Sequence, residues 1–216
     1  MRRILDFVIT GTPRSGTGYV ARVLSSLGII CGHEAAFNPW AIEAASVRKP
    51  VVRLRGDCSW LAAPFLMELP ASTKVFHVVR DPVNTINSIL CTGQLDWPSD
   101  YRTFLARHFR KDSNYWPTEV LIEAQQFWVE WNEMIELSGR VTKRFQVESL
   151  RKALGDITKA IEPQWHLSNE KLEVAVNSVP TSHNSRTPLG RNNILTRSML
   201  LPACVTIAQR YGYLLG

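Results

Sequence analysis

The stretch ILDFVITGTPRSGTG, residues 4–18, decides the fold. Residues 4–10 form a short, nearly all-apolar run, which is typical of a parallel strand covered on both faces. A turn rich in glycine, proline and serine follows, and apolar residues then recur at helical spacing over 17–27. The order of strand, glycine-rich loop and helix predicts an α/β fold with the loop at the carboxyl end of the first strand.

The rest of the chain continues this alternation. Buried strands are predicted over 74–79 and 141–147, and a long amphipathic helix over 117–137. The other predicted helices span 58–69, 82–90, 101–109, 148–161, 168–176 and 196–211. The pattern predicts one domain over 1–216, a three-layer α/β/α fold with a mostly parallel central sheet and P-loop NTPase-like topology.

The composition is that of an ordinary globular protein with a basic surface. The 216 residues include 25 Lys and Arg against 19 Asp and Glu, for a net charge of +6. Seven Trp and eight Phe among periodic apolar segments exclude the disordered and collagenous classes. The excess of cations suits a nucleic acid, an anionic membrane or a small polyanionic ligand, and composition does not choose among them.

The cysteines and the N-terminus bear on the compartment. The chain has four cysteines, at Cys31, Cys58, Cys91 and Cys204. They lie far apart in the sequence and form no CxxC or Cys/His ligand pair. They are predicted to be reduced thiols of a cytoplasmic protein, with no metal site. The apolar N-terminal run is interrupted by Asp6 and ends at Ile9, too early for a signal peptide or a membrane span, so no stable membrane anchor is predicted.

The glycine-rich loop over 11–18 is the first motif that carries chemistry. Backbone N–H groups of such a loop converge on an anion, and the positive end of the helix dipole adds to their effect. Gly11 and Gly16 keep the glycine spacing of a phosphate-binding loop, but Thr17 stands where an ATPase or kinase requires lysine. Arg14 supplies the cation instead. The loop is predicted to bind a phosphate-like group rather than only to reverse the chain.

The second motif is RDPVNTINS, residues 80–88. Arg80 is predicted at the carboxyl edge of the sheet, where open α/β folds bind their ligands, and Ser88 about two turns along the next helix. A guanidinium and a hydroxyl can together grip one phosphate. The alternative interpretation is that Arg80 pairs with Asp81 and that Ser88 is an ordinary helix residue.

Together the two motifs resemble the sulfotransferase family that uses 3′-phosphoadenosine 5′-phosphosulfate (PAPS). The family's loop, Pro-Arg/Lys-Ser-Gly-Thr, is matched by PRSGT at 13–17, and its arginine followed eight residues later by a serine is matched by Arg80 and Ser88. The resemblance continues in order at CGHE (31–34), GDCSW (56–60) and RFQVE (144–148). It implies a sulfotransferase domain that moves the sulfuryl group of PAPS to a hydroxyl or amine and releases 3′-phosphoadenosine 5′-phosphate (PAP).

The resemblance also implies roles for single residues. Arg14 would contact the phosphosulfate and offset the charge that builds as the sulfuryl group leaves. Arg80 and Ser88 would bind the 3′-phosphate, and a late basic loop would bring Arg186 or Arg191 to it. Fixed cations and backbone donors would replace a metal ion, so none is implied. The hydrogen-bond donors to the 5′-phosphosulfate of PAPS would be Ser15, Gly16, Thr17 and Gly18.

The base that takes the acceptor's proton is predicted at His33 or Glu34. We favour Glu34 because related small sulfotransferases carry a catalytic Glu at this chain position, whereas His33 has the more convenient pKa for a base near neutrality. Since the two are adjacent in sequence, their side chains are expected to diverge. The alternative is that both are structural. Candidates for an acceptor pocket are Phe37, Trp40, Asp57 and Trp60, although Asp57 equally suits a helix N-cap.

Two rival functions are a P-loop-type nucleotide-dependent kinase and a non-catalytic nucleotide-binding protein. The missing lysine disfavours the kinase, and the spacing from Arg80 to Ser88 supports neither rival. The predicted partners are PAPS and a small-molecule, glycan or lipid acceptor, with no nucleic acid. Both monomers and homodimers are compatible with the resemblance.

Overall fold

A computed structural model describes residues 5–38, 54–91, 99–109, 120–180 and 195–214, with the backbone alone at 99–102 and 120. The strands are β1 (Phe7–Thr10), β2 (Cys31–His33), β3 (Gly56–Cys58), β4 (Lys74–Val79) and β5 (Val141–Gln146). They form one sheet in the order β2-β3-β1-β4-β5, and every neighbouring pair is parallel. The predicted parallel sheet and the strands predicted at 4–10, 74–79 and 141–147 are confirmed.

Helices cover both faces of this sheet. The α-helices are α1 (Thr17–Ser26), α2 (Pro82–Cys91), α3 (Ser99–His108), α4 (Val120–Leu137), α5 (Leu150–Ile161), α6 (Asn169–Asn177) and α7 (Pro202–Arg210). One face packs against α1, α5 and α6, and the other against α4 and a 3₁₀ helix, Trp60–Glu68. Helices α2 and α7 extend the second layer by packing on α4. This arrangement confirms the three-layer α/β/α fold.

Strand β1 is buried on both faces, as its apolar sequence predicts. Phe7 and Ile9 belong to the core beneath α1, while Val8 points to the opposite core with Trp131. All three side chains are fully buried, and each such burial stabilises the fold by about 1.5–3 kcal/mol. The loop that follows β1 therefore begins from a rigid strand.

Strands β2 and β3 were not predicted, and the helix expected over 58–69 is different in kind. It is the 3₁₀ helix Trp60–Glu68, which contains Pro64 and begins where the Ser59 hydroxyl accepts the N–H of Leu61 at 3.2 Å. Pro64 has no N–H to donate, which disfavours a regular α-helix here. Asp57 lies in β3, so its interpretation as the helix N-cap is wrong.

The last predicted helix, over 196–211, begins late. A short 3₁₀ turn, Arg197–Met199, comes first, and α7 begins at Pro202. Proline disfavours helical backbone in the residue before it, and Leu201 is extended with ψ 147°. The helix therefore cannot run continuously through this segment.

Candidate functional site

The loop between β1 and α1 has a backbone that depends on its glycines. A Cβ on Gly11 would lie 2.2 Å from the carbonyl oxygen of Val78 and 2.5 Å from Oγ of Ser15. Gly16, which precedes α1, has φ +100°, and Arg14 also has a positive φ of 69°. These left-handed residues bend the backbone sharply around the start of α1, as in the concave loops that bind anions.

The start of α1 offers hydrogen-bond donors and partial positive charge. The first N–H groups of an α-helix have no acceptor within the helix, and the first turn of α1 contains no acidic residue. Ser15 is fully buried, and its hydroxyl has no hydrogen-bond partner among the residues that the structure describes. These features suit a phosphate-like group. The donor roles of Ser15, Gly16, Thr17 and Gly18 stay predictions.

The two sequence motifs meet in the structure. Nε of Arg14 donates to Oγ of Ser88 at 3.0 Å, and Nη1 of Arg80 donates to the backbone carbonyl of Arg14 at 3.2 Å. All three residues are half-buried. The loop, the end of β4 and the second turn of α2 therefore form one site.

Arg80 does not pair with the acid beside it. The carboxylate of Asp81 accepts the N–H of Asn84 at 3.0 Å and lies 3.9 Å from Nη2 of Arg197. The N–H of Asp81 itself donates to Glu148 Oε1 at 2.9 Å. Across the described ranges, no carboxylate lies within 4.0 Å of an Arg80 nitrogen. The alternative interpretation, an Arg80–Asp81 pair, is therefore wrong.

The two candidate bases stand beside the same loop. Nε2 of His33 lies 3.4 Å from the Thr17 hydroxyl and 3.7 Å from Oε1 of Glu34. Their side chains do not diverge as expected: the Glu34 carboxylate lies beside the imidazole, and the Glu34 backbone is left-handed with φ 53°. The side chains are 35% and 22% exposed, so solvent or an acceptor can reach both.

Asp57 holds the turn that follows Glu34. Its carboxylate accepts three backbone N–H groups, from Ala35 at 3.1 Å, Ala36 at 3.0 Å and Phe37 at 3.1 Å. Burial raises the pKa of Asp57, and these hydrogen bonds oppose that rise only in part. Asp57 thus fixes, from a neighbouring strand, the turn that directly follows the candidate base Glu34.

Trp131 of α4 contacts the start of the glycine-rich loop. Its indole Nε1 donates to the carbonyl of Gly11 at 3.1 Å. Trp60, a candidate for the acceptor pocket, is buried in the core, with its ring centroid 5.1 Å from that of Trp131. Phe37 is half-buried and stacks on Phe65. Trp40 lies outside the described residues.

A neutral histidine lies beneath the site, on β4. Nε2 of His77 and Oδ1 of Asn132 are 3.0 Å apart, and Nδ2 of Asn132 donates to the carbonyl of Trp128 at 2.8 Å. This second bond fixes the amide orientation, so His77 Nε2 must be the donor. Burial and, to a lesser extent, the positive charge of Arg144 together lower the pKa of His77 to about 3.

The late basic loop falls outside the described residues, and so do Arg186 and Arg191. The chain resumes at Leu195, whose N–H and carbonyl both bond to the side-chain amide of Asn87, at 2.9 Å and 2.8 Å. Asn87 is the neighbour of Ser88. The segment that follows the basic loop is therefore anchored one residue from the candidate 3′-phosphate site.

Within the described ranges, no three His, Cys, Asp or Glu side chains are grouped so that they could hold a metal ion. None of the helices in the described part of the chain combines the length and the apolar character needed to cross a bilayer.

Solved structures share this fold. No known protein family and no curated protein matches the sequence. The crystal structure of mouse sulfotransferase SULT7A1 complexed with PAP matches with a TM-score of 0.50 and 14% identity, over 98% of this chain and 83% of that chain. A sulfotransferase from Alicyclobacillus acidocaldarius gives a TM-score of 0.43 and 14% identity, over 96% of this chain and 91% of that chain. The likeness to the mouse protein shows that this chain has a sulfotransferase fold.

Proposed function

We propose that the protein is a sulfotransferase that uses PAPS as its sulfuryl donor. One observation carries the proposal: the hydrogen bonds from Arg14 to Ser88 and from Arg80 to Arg14 join two phosphate-binding motifs into one site. Such a site suits a nucleotide with phosphates at both its 5′ and 3′ positions. The fold likeness to a mouse sulfotransferase complexed with PAP supports the same conclusion.

PAPS would be held at both of its phosphate-bearing ends. The N–H groups at the start of α1 and the Thr17 hydroxyl would bind the 5′-phosphosulfate, and Ser15 has a buried hydroxyl available there. Arg80 and Ser88 would bind the 3′-phosphate through charge-assisted hydrogen bonds. Arg186 or Arg191 would add a further cation. PAP would remain as the product.

Transfer would depend on positioning and charge stabilisation rather than on a protein nucleophile. The acceptor oxygen or nitrogen forms a bond to sulfur as the bond from sulfur to the bridging oxygen breaks, and negative charge builds on that oxygen. The Arg14 guanidinium would offset this charge. The acceptor's proton would pass to Glu34, or to His33 as the alternative base 3.7 Å away.

The acceptor and the compartment belong to the same proposal. We place the acceptor among small molecules, glycans and lipids that carry a hydroxyl or amine, and exclude nucleic acid as a partner. We place the protein in the cytoplasm, where its four cysteines are predicted to stay reduced. A homodimer is compatible with the proposed activity.

The first test is nucleotide binding measured by thermal unfolding. PAP at about 100 times its Kd should raise the Tm by about 5–10 °C without added metal, since ligand binding to the folded state stabilises it by about 2.7 kcal/mol. Mg-ATP should have little effect, because it lacks a 3′-phosphate. Stabilisation by Mg-ATP and not by PAP would overturn the proposal in favour of a kinase. Labelled PAPS offered with panels of acceptors would then identify the substrate.

The second test separates the 3′-phosphate site from the rest. Arg80→Ala should weaken PAP binding by about 10- to 100-fold, because a charged hydrogen bond contributes about 1.5–3 kcal/mol. Binding of 5′-AMP, measured by the same calorimetric titration, should change little. Arg151→Ala is the matched control, since Arg151 is exposed and pairs with Glu173. Equal losses for PAP and 5′-AMP would remove Arg80 from the 3′-phosphate.

A further inference from the structure

Two thiols lie in contact on neighbouring strands. Sγ of Cys31 and Sγ of Cys58 are 3.4 Å apart. In the parallel pairing of β2 with β3, Cys31 lies opposite Gly56 and His33 opposite Cys58, so both cysteines face the same side of the sheet. Because Gly56 has no side chain, Cys58 is the first side chain of β3 that Cys31 meets on this face.

The two thiols differ in their access to solvent. Cys58 is fully buried in the core beneath α1, whereas Cys31 is half-buried at its edge. Burial, and then the hydrogen bond with Cys31, raise the pKa of the Cys58 thiol well above its usual range. A reagent in solution therefore reaches Cys31 first, with Cys58 protected behind it. Cys91 and Cys204 are buried in α2 and α7.

We propose that Cys31 and Cys58 form an oxidation site at which a hydroperoxide converts the two thiols into a disulfide. The two sulfur atoms must approach by about 1.4 Å, since a disulfide bond is about 2.05 Å long. In this register the two cysteines are diagonal neighbours, a relation in which Cα atoms lie about 7–8 Å apart, so closure requires β2 to shift towards Cys58 as well as side-chain rotation. The proposal is independent of the donor and acceptor proposed above.

The reaction proceeds in two steps. The Cys31 thiolate attacks the hydroperoxide, so that a sulfur–oxygen bond forms, the oxygen–oxygen bond breaks and an alcohol or water leaves. The Cys58 sulfur then attacks the sulfur of Cys31, and the hydroxyl leaves with the Cys58 proton as water. Overall, two thiols lose two electrons and two protons to one hydroperoxide.

The disulfide would cross-link the edge strand that carries the candidate bases. Cys31 begins β2, which ends at His33, and Glu34 follows directly. A covalent bond to β3 would limit the movement of this edge relative to Asp57, the residue that holds the next turn. Oxidation would therefore act on the backbone next to the site without involving its side chains.

Peptide mapping of the full-length wild-type chain tests the proposal. The protein is treated with one equivalent of hydrogen peroxide, blocked with N-ethylmaleimide and digested with trypsin. Trypsin cuts after Arg48 and Arg55, so the disulfide joins two separate peptides, 23–48 and 56–74. We expect this linked pair, about 2 Da lighter than the two reduced peptides together and separated by dithiothreitol. The titratable thiols in denaturant should fall from four to two.

Three controls make the result specific. Cys31→Ser should abolish the cross-link and leave Cys58 as a thiol, whereas Cys91→Ser should leave the cross-link unchanged. The chain oxidised in urea should lose the preference for this pair, because the preference comes from the fold. Recovery of Cys31 as a sulfinic acid beside an alkylated Cys58 would overturn the proposal, as would the same pairing preference in urea. Neither outcome bears on nucleotide binding.

Discussion

Lowering the pH should destabilise the fold through one buried histidine. His77 is fully buried, and its Nε2–H is used by Asn132. Protonation would place a second N–H on Nδ1, which has no partner among the described residues, near the positive charge of Arg144. The folded state therefore excludes the proton, whereas the unfolded chain accepts it at the ordinary pKa of 6.5.

The size of the effect follows from the two pKa values. Between 6.5 and about 3, the unfolded state binds one proton that the folded state does not, so stability falls as the pH falls. The slope is about 1.36 kcal/mol per pH unit. The loss amounts to about 1 kcal/mol at pH 5.5 and about 3 kcal/mol at pH 4.5. Below pH 3 the folded state also binds the proton, and the loss reaches its limit.

The assay compares the wild-type protein with His77→Gln, whose amide nitrogen can replace Nε2 as the donor to Asn132. Urea unfolding is followed by tryptophan fluorescence at pH 7.5, 6.5, 5.5 and 4.5. The difference between the two unfolding free energies removes titrations that both proteins share. This difference in unfolding free energy should shift in favour of the variant by about 1.4 kcal/mol for each pH unit below 6.5. His166→Gln, at an exposed position, controls for the loss of a histidine.

A difference that stays constant from pH 7.5 to 4.5 would refute the reasoning. Should His77→Gln fail to fold, the titration of the His77 ring in the wild-type protein can be followed by NMR. A midpoint near the ordinary value of 6.5 would then refute it equally.

Four more substitutions test the site and its supports. Glu34→Gln should abolish sulfuryl transfer from labelled PAPS and leave PAP affinity unchanged, because an amide cannot take the acceptor's proton; a fully active variant would return this role to another group. Gly56→Ala should lower the free energy of unfolding by about 1–3 kcal/mol, since its Cβ would lie 2.2 Å from a buried phenylalanine ring. Gly155→Ala, with an ordinary contact at 3.6 Å, should be neutral or stabilising in the same urea titration, and equal losses would contradict the packing argument. Asn87→Ala should cost about 1–3 kcal/mol by leaving buried backbone groups of Leu195 unpaired, and unchanged stability would contradict the two hydrogen bonds.

The sequence predicts long buried strands better than short ones. Strands β1, β4 and β5 coincide with predicted runs, and β1 and β4 are almost entirely apolar. Strands β2 and β3 have only three residues each, CGH and GDC, and carry no apolar pattern. They are strands because they pair with each other and with β1, and a linear pattern does not contain that information.

The candidate site divides in the same way. Arg14, Arg80 and Ser88 could be placed from the sequence because each lies within two helical turns of the end of β1 or β4, and the carboxyl ends of parallel strands meet at one edge. The contacts of Asp57, Asn87 and Trp131 were missed because each binds a backbone group. Almost every residue type carries the same backbone N–H and carbonyl groups, so the sequence does not show which residue such a side chain binds.

The two hydrogen bonds that join the motifs set different limits on how relatives of this chain can diverge. Arg80 binds the carbonyl oxygen of residue 14, which any amino acid supplies, so this contact survives an exchange of the side chain at 14. Ser88 receives its bond from Nε of Arg14, a donor that lysine lacks. An exchange at position 14 therefore changes the contact with Ser88 but leaves the contact with Arg80 in place.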